Sequence, residues 1–75
     1  MAEMDTVTIY VYLLDEGVDV WRPVEATQIR ENIYWIISEN ENPDDETWEF
    51  SKDDIVRCRE KRLTNGLHLI AVEKA

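Results

Sequence analysis

Hydrophobic and polar positions alternate along residues 16–26, and we interpret this stretch as the strand around which the fold is organised. A period of two is typical of a strand with one face on a core and the other toward solvent. The apolar set, expected to face the core, consists of Val18, Val20, Val24 and Ala26. The set expected to face outward consists of Asp19, Trp21, Pro23 and Glu25. Because Pro23 has no backbone N–H, it predicts a sheet edge or a bulge.

The segment before this strand also alternates, from Thr6 to Leu14. One face carries Val7, Ile9, Val11 and Leu13, and the other carries Thr8, Tyr10 and Tyr12. Such β-branched and aromatic residues are typical of a strand. A turn is predicted at residues 15–17, where Gly17 is able to take a positive φ.

Residues 23–32 allow two interpretations. A helix beginning at Pro23 is one, because proline suits the first helical position. The other is a strand, a turn and a second strand. We favour the second because a helix of about two turns, anchored by Val24 and Ile29, is too short to persist without strong packing.

The middle of the chain mixes one apolar run with a polar loop. Residues 33–37 are apolar on both parities, which predicts a central strand covered on both sides. Residues 38–47 are polar and acidic and are predicted to form the longest loop. Residues 48–50 return to the core as a short extended piece, and residues 51–54 form a further turn.

A hairpin is predicted around Asn65-Gly66, between strands at residues 55–62 and 67–73. A two-residue loop would mix apolar and charged side chains on both faces. A three-residue loop with Gly66 as a bulge would pair Leu63 with Leu67 and Cys58 with Val72, so that the apolar residues share one face. We favour the bulged loop because a slip of one residue turns the core face outward.

These elements predict an all-β chain forming a small SH3-like antiparallel β-barrel of five to six short strands. Closure into a barrel also protects strand edges in so short a chain. We expect residues 1–75 to form one domain, with residues 1–5 as a disordered or frayed N-terminus.

Two resemblances accompany this prediction. The stretch from Asp45 to Val56 resembles the diverging-turn segment of SH3 domains, in which an acidic pair, an aromatic residue and a polar turn lead into a strand. Most of the chain resembles a family of uncharacterised short acidic bacterial proteins. The stretches that carry this likeness are Tyr12-Leu13-Leu14-Asp15-Glu16-Gly17, Val20-Trp21-Arg22-Pro23, Trp48-Glu49-Phe50 and Val56-Arg57-Cys58. That resemblance implies no particular activity.

Composition narrows the possible functions. The 75 residues include 17 acidic and 8 basic side chains, a formal charge of −9 that repels phosphate backbones and anionic lipid. Cys58 is the single cysteine, which excludes an internal disulfide and favours a reduced, cytoplasmic protein. The N-terminal apolar run is too short for a membrane span and lacks the features of a signal peptide.

Catalytic and metal chemistry find little support. The single thiol and the single imidazole are Cys58 and His68, and the favoured register places Arg62, not Cys58, opposite His68. We therefore expect a buried, inert thiol, no enzyme activity and no cofactor. Acidic residues crowd residues 44–54, but their spacing is not that of an EF-hand loop, so a solvated acidic face is the favoured interpretation.

Two surfaces remain as candidates for binding. An aromatic patch beside an acidic turn predicts a protein or peptide contact, unless these rings only cover the open ends of the barrel. Its residues are Tyr10, Tyr12, Asp15, Glu16, Trp21 and Arg22. A basic strip predicts an association with nucleic acid. Its residues are Arg57, Arg59, Lys61 and Arg62. We expect an interaction module without catalysis, and the alternative is a protein that binds or mimics nucleic acid.

Overall fold

The computed structural model describes residues 5–64 and 66–75 and contains six strands. They are β1 (Val7–Leu14), β2 (Trp21–Arg30), β3 (Ile33–Ile36), β4 (Thr47–Trp48), β5 (Ile55–Leu63) and β6 (Gly66–Lys74). The described residues form no helix, and so none with the length and hydrophobicity that a membrane crossing needs. The predicted frayed N-terminus lies outside the described residues except for Asp5, which is exposed.

The six strands form one sheet in the order β2-β3-β5-β6-β1-β4, and an additional pairing of β2 with β1 closes five of them into a ring. All pairings are antiparallel except that of β1 with β6, which is parallel and joins Tyr10 to Ile70. The predicted small β-barrel is therefore confirmed. Closure matters energetically because each strand in the ring has a neighbour on both sides for at least part of its length.

The barrel interior is a single apolar cluster to which every strand of the ring contributes. Its buried members are Ile9, Val11, Val24, Ala26, Tyr34, Ile36, Phe50, Val56, Cys58 and Ala71. The predicted parity of β1 is confirmed by Ile9, Val11 and Leu13, which are buried, whereas Val7 at the strand end is exposed. Side chains of β1 with the other parity consequently lie outside the barrel.

The predicted core face of residues 16–26 is only half right. Val24 and Ala26 are buried, but Val20 is half-buried and Val18 is 70% exposed. The reason is that β2 begins at Trp21, and residues 15–20 form the connection from β1. Gly17 has φ +79°, as predicted, and Asp15 also has a positive φ of 63°. Alternation of side chains between two faces requires extended backbone, so it ends where this turn begins.

Pro23 occupies a partly open edge, as predicted. Leu13 N donates to Val20 O (2.9 Å), and Pro23 pairs with Tyr10 in the register of β1 and β2. Because hydrogen-bonded pairs alternate along an antiparallel ladder, Pro23 falls in a non-hydrogen-bonded pair and its nitrogen points away from β1. On that other side, β3 pairs with β2 only from Ala26 onward. Proline therefore removes no ladder hydrogen bond here.

Residues 23–32 form strand and turn, so the helical alternative is wrong. The turn at residues 31–32 has Asn32 at φ 65°, and the register between β2 and β3 shifts at Ile29, which is exposed. β3 is central, between β2 and β5, but only Tyr34 and Ile36 are buried. The expectation that β3 is covered on both sides is wrong because the barrel has only one interior. Residues 37–46 form the longest connection, as predicted.

From Cys58 to the turn, the hairpin register differs from both predicted alternatives, whereas the pairs Arg57–Glu73 and Val56–Lys74 have the register predicted for the bulged loop. Leu63 pairs with Gly66, Lys61 with His68, and Cys58 with Ala71. The irregularity lies between Arg57 and Cys58 rather than at the hairpin end. The small Ala71 thus lies opposite Cys58 inside the barrel, where both are buried. Asn65, part of the predicted turn signal, lies outside the described residues. The prediction that Arg57, Arg59 and Lys61 point away from the core is confirmed by their exposure.

Candidate functional site

Four rings gather on the outside of the barrel, and we call them the aromatic face. They are Tyr10 and Tyr12 of β1, Trp21 of β2 and His68 of β6, and all four are half-buried. The structure brings together the three aromatic residues of the predicted patch and adds His68. These rings lie outside the interior cluster, so the face is a separate structural unit.

Tyr12 and Trp21 form the best-defined contact of the aromatic face. They lie opposite each other in the ladder between β1 and β2, with ring centroids 5.2 Å apart and planes at 67°. This is a non-hydrogen-bonded pair, the position where opposite side chains come closest. Edge-to-face aromatic pairs contribute about 0.5–1.5 kcal/mol beyond the area they bury. The pair therefore holds Trp21 in place without burying it completely.

Tyr10 and His68 join the face across the parallel junction of β1 and β6. Their ring centroids are 4.7 Å apart with an interplanar angle of 53°. Beside them, Ile70 is the ladder partner of Tyr10 and is only 3% exposed, although it is not part of the interior cluster. Cross-strand partners share a face, and Ile70 lies opposite the exposed Arg59. Ile70 is thus a buried apolar residue on the same side of the sheet as the aromatic face.

The acidic group at this face is Asp19. Tyr12 OH donates to Asp19 Oδ1 (2.9 Å), and this hydrogen bond, followed by burial, raises the pKa of Tyr12. The sequence had suggested Asp15 and Glu16 instead. Both are exposed in the turn after β1, whereas Asp19, two residues before β2, accepts the hydroxyl of Tyr12. The backbone reversal at residues 15–17 decides which carboxylate reaches the rings.

The predicted basic strip adjoins the aromatic face. Lys61 Nζ lies 6.0 Å from the centroid of the Trp21 ring, at the outer limit of a cation–π contact. Arg57 and Arg59 follow on the same face of β5, and Arg57 is ion-paired with Glu73. Arg62 has the other parity and does not join them. The two candidate surfaces are therefore neighbours, which their separation in sequence did not indicate.

A small cleft opens in the aromatic face. Its volume is about 260 Å³. It is lined by Tyr10, Asp19, Val20, Trp21, Leu63, Thr64 and His68. The lining combines three rings, two aliphatic side chains and one carboxylate. Such a mixture suits a ligand group with an apolar stem and a polar or charged end.

Arg22 belongs to a different cluster, so its predicted role beside Trp21 is wrong. Neighbouring residues of a strand point to opposite faces, and Arg22 pairs with Glu46 instead. Trp48 Nε1 also donates to Glu46 (3.0 Å), and Asn40 Nδ2 donates to Glu46 O (2.8 Å). We call Arg22, Glu46 and Trp48 the loop anchor, because they tie the long loop to β2. Their contacts, that with Arg22 first, lower the pKa of Glu46.

The loop anchor also borders a cleft with several acidic side chains. A cleft of about 450 Å³ lies between β2 and residues 38–42, with Glu25, Glu39 and Glu41 in its wall. Part of this wall is already engaged, since Ser38 Oγ accepts a hydrogen bond from Glu25 N (2.8 Å). No ligand-directed feature marks this cleft beyond its acidity.

Cys58 lies inside the barrel, and its burial raises the pKa of the thiol to about 11. His68 lies on the aromatic face opposite Lys61, so the hairpin separates the thiol from the imidazole. Nucleophilic catalysis by this pair is not supported by the geometry. Within residues 5–64 and 66–75, no three His, Cys, Asp or Glu side chains come together as metal ligands.

The chain gave no match to models of protein families, to curated proteins or to solved structures.

Three contributors to this site escaped the sequence analysis: His68, Asp19 and Ile70. A signal existed for His68, since Lys61 was predicted to point outward and the residue opposite it shares that face. The wrong hairpin register placed Arg62, not Lys61, opposite His68. Asp19 had been assigned to the outward set, but its contact with Tyr12 depends on the turn geometry. Ile70 required knowledge of the parallel junction.

Proposed function

We propose that this protein is a non-catalytic module that binds a protein or peptide partner through the aromatic face. The single observation that carries the proposal is the placement of Tyr10, Tyr12 and Trp21. They lie together on the outside of the barrel and remain partly accessible while the interior is filled by other residues.

Rings of this kind are suited to binding because they offer a large contact area with few rotamers to freeze. The edge-to-face packing of Tyr12 on Trp21 and the tilted packing of Tyr10 on His68 preorganise the surface further. The cleft that Tyr10, Trp21 and His68 line together provides a pocket within the face. A contact surface of this form needs no active site.

Partner capture by single-tryptophan variants tests this proposal. Immobilised wild type and the variant Trp21→Ala are exposed to a native lysate of the source organism, and bound proteins are identified. Trp35→Ala is the matched control, because Trp35 is also half-buried but lies on β3 and bonds to Asp53. We expect a partner that wild type and Trp35→Ala retain and that Trp21→Ala loses.

Thermal melts of the same variants separate binding from folding. Truncation of a fully buried tryptophan costs about 3–5 kcal/mol, whereas the partly exposed Trp21 should cost about 1–2 kcal/mol. Equal capture by wild type and Trp21→Ala contradicts the proposal. A loss of stability as large as for a buried ring contradicts it as well, because Trp21 would then be a structural element.

A second candidate function is an association with nucleic acid, and the position of Lys61 and Arg59 beside the aromatic face favours it. Bases stack on aromatic rings while cations contact phosphates. Fluorescence anisotropy with single-stranded DNA and RNA oligonucleotides at low salt tests this candidate. It predicts binding that weakens steeply with salt and falls further in Lys61→Met. Absence of binding to both oligonucleotides contradicts it.

We also propose that the protein works in a reducing compartment, the bacterial cytoplasm, and belongs with the short acidic bacterial proteins that it resembles. The single cysteine supports the first point, since it has no partner for an internal disulfide. The resemblance in sequence supports the second. Both are compatible with a binding module whose net charge of −9 favours cationic partners.

A further inference from the structure

The cleft of the aromatic face already has a cation beside it. Lys61 Nζ is 6.0 Å from the Trp21 ring centroid, and Trp21 lines the cleft. Tryptophan is the ring that attracts cations best, because its quadrupole places negative charge on the ring face. At this distance the attraction is weak, and Lys61 is an exposed side chain on a flexible stem. The contact of Lys61 with Trp21 is therefore weak enough for a second cation with a better fit to replace Lys61 at the ring.

The wall of the cleft carries a negative charge that is only partly satisfied. Asp19 Oδ1 accepts the hydroxyl of Tyr12, and an ionised carboxylate has about four acceptor positions on its two oxygens. Asp19 therefore retains acceptor capacity toward the cleft that it lines. A guanidinium or ammonium group placed there gains a charge-assisted hydrogen bond in addition to the ring contact.

Size and lining also fit a side chain. A volume of about 260 Å³ is below the range of about 300–1,000 Å³ that holds a drug-sized molecule. Val20 and Leu63 supply apolar walls at the edge of the cleft. Long cationic side chains bury their methylene stems against such surface while the charged head reaches a polar group.

Charge distinguishes a cationic ligand from an anionic one. The chain carries −9, and a phosphate seated in the cleft would face Asp19. Of the cations along β5, Arg57 is already paired with Glu73. At long range the net charge of the chain therefore attracts cations and repels a nucleic-acid backbone, and within the cleft Asp19 does the same.

We infer that this cleft binds an arginine or lysine side chain of a partner peptide, and that Lys61 occupies the Trp21 ring until that ligand displaces it. The inference rests on the proposed function and specifies the chemistry of the partner. Lys61 then acts as an internal competitor, because it repels the incoming charge and occupies the same ring.

Peptide titrations followed by NMR test this inference. ¹⁵N-labelled protein is titrated with three short glycine- and serine-based peptides that differ only at the central residue, which is arginine, lysine or the uncharged citrulline. We expect the amide chemical shifts of Tyr10, Trp21 and His68 to change on titration. The arginine peptide should bind at least about 5-fold more tightly than the citrulline peptide. Equal affinities for arginine and citrulline overturn the inference.

The variant Lys61→Met gives the second readout. Removing the competitor should tighten the arginine peptide about 3-fold. Arg59→Met is the matched control, because it removes one positive charge from the same face of β5 without a contact to Trp21 and should change the affinity less. If Lys61→Met binds the arginine peptide more weakly than wild type, or if the two variants change its affinity equally, Lys61 is not a competitor for the Trp21 ring.

The same titrations separate failure of this inference from failure of the proposed function. If a partner is captured in a Trp21-dependent manner while arginine and citrulline peptides bind equally, the module stands and the cationic ligand is wrong. If oligonucleotides bind the aromatic face and Lys61→Met weakens their binding, both the peptide-binding module and its cationic ligand are wrong. This inference is also overturned if the arginine peptide changes chemical shifts only around the cleft at the loop anchor.

Discussion

β1 and β2 build two regions of this molecule with alternate residues, and the two regions behave differently. Ile9 and Val11 face the interior and are fully buried, whereas Tyr10 and Tyr12 face outward and are half-buried. The interior is enclosed by a ring of five strands, so its side chains find neighbours on all sides. The rings of the aromatic face pack on one another at the outer surface and stay partly accessible. Stability therefore resides inside the barrel, and accessible area for binding remains outside.

Two raised pKa values illustrate the same contrast. The thiol of Cys58, inside the barrel, has its pKa raised by burial, which disfavours the thiolate. The pKa of Tyr12, on the outside, is raised first by its hydrogen bond to Asp19. The interior thus acts as a medium that excludes charge, while the aromatic face acts through a specific polar partner.

The largest expected effect comes from emptying the interior. Ile9→Ala should lower the free energy of unfolding by about 2–5 kcal/mol, because it leaves a cavity in a closed barrel. Val18→Ala is the control, since Val18 is exposed in the turn before β2 and should change stability by less than about 0.5 kcal/mol. Urea denaturation measures both. Similar losses in the two variants would break the distinction between interior and exterior.

A chemical probe of the interior should give the next largest effect. With its pKa raised to about 11, Cys58 is almost entirely protonated at pH 8, and only the thiolate reacts. Labelling of the native protein by a disulfide reagent should be about 100-fold or more slower than labelling of the urea-unfolded chain. Comparable rates in both states would show that the barrel does not enclose this thiol.

The aromatic face should show a smaller but specific coupling. A double-mutant cycle with Tyr12→Leu and Trp21→Leu is expected to give an interaction energy of about 0.5–1.5 kcal/mol. A second cycle that combines Trp21→Leu with Trp35→Leu, on a different strand, should be additive. Chemical denaturation of the six proteins provides the values. Additivity between Tyr12 and Trp21 would mean that the rings do not stabilise each other.

The loop anchor, which lies outside both regions, should give the smallest effect, and that effect depends on pH. The pKa of Glu46 is lowered in the folded protein from its ordinary value of 4.5, so its contribution is present above that value. It is lost as pH falls through the folded value. Glu46→Gln should therefore be less stable than wild type at pH 7, and the two should converge at about pH 2. A difference that persists in acid contradicts a role for the ion pair with Arg22.

Much of the fold was predictable because it depends on local patterns. The alternation of β1 identified its buried residues, and Asn65-Gly66 located the last hairpin. The strand interpretation of residues 23–32 followed from the weakness of a short helix. Errors arose at the ends of these patterns. Val18 was assigned to the core face because it has the parity of the next strand, but it lies in a turn. The hairpin register was mispredicted because two loop lengths were compared only by how well they paired apolar residues.

The candidate site shows where such reasoning ends. Tyr10, Tyr12 and Trp21 were assigned together from parity, since alternation fixes the side of a strand on which a residue lies. The assignment of Arg22 to the same site failed for that same reason, because adjacent residues point to opposite faces. Alternation predicts the face, but it does not predict the neighbour from another strand.

The amino-acid sequence by itself determined the all-β class, the buried side of β1, and the outward direction of the aromatic residues of β1 and of the basic residues Arg57, Arg59 and Lys61. Only the tertiary structure decided that Lys61 lies over Trp21, that His68 packs on Tyr10, and that Asp19 rather than Asp15 bonds to Tyr12. The physical reason is distance along the chain. Local periodicity reflects contacts with the nearest residues, whereas these three contacts depend on barrel closure and on one turn, whose geometry the side-chain pattern does not encode.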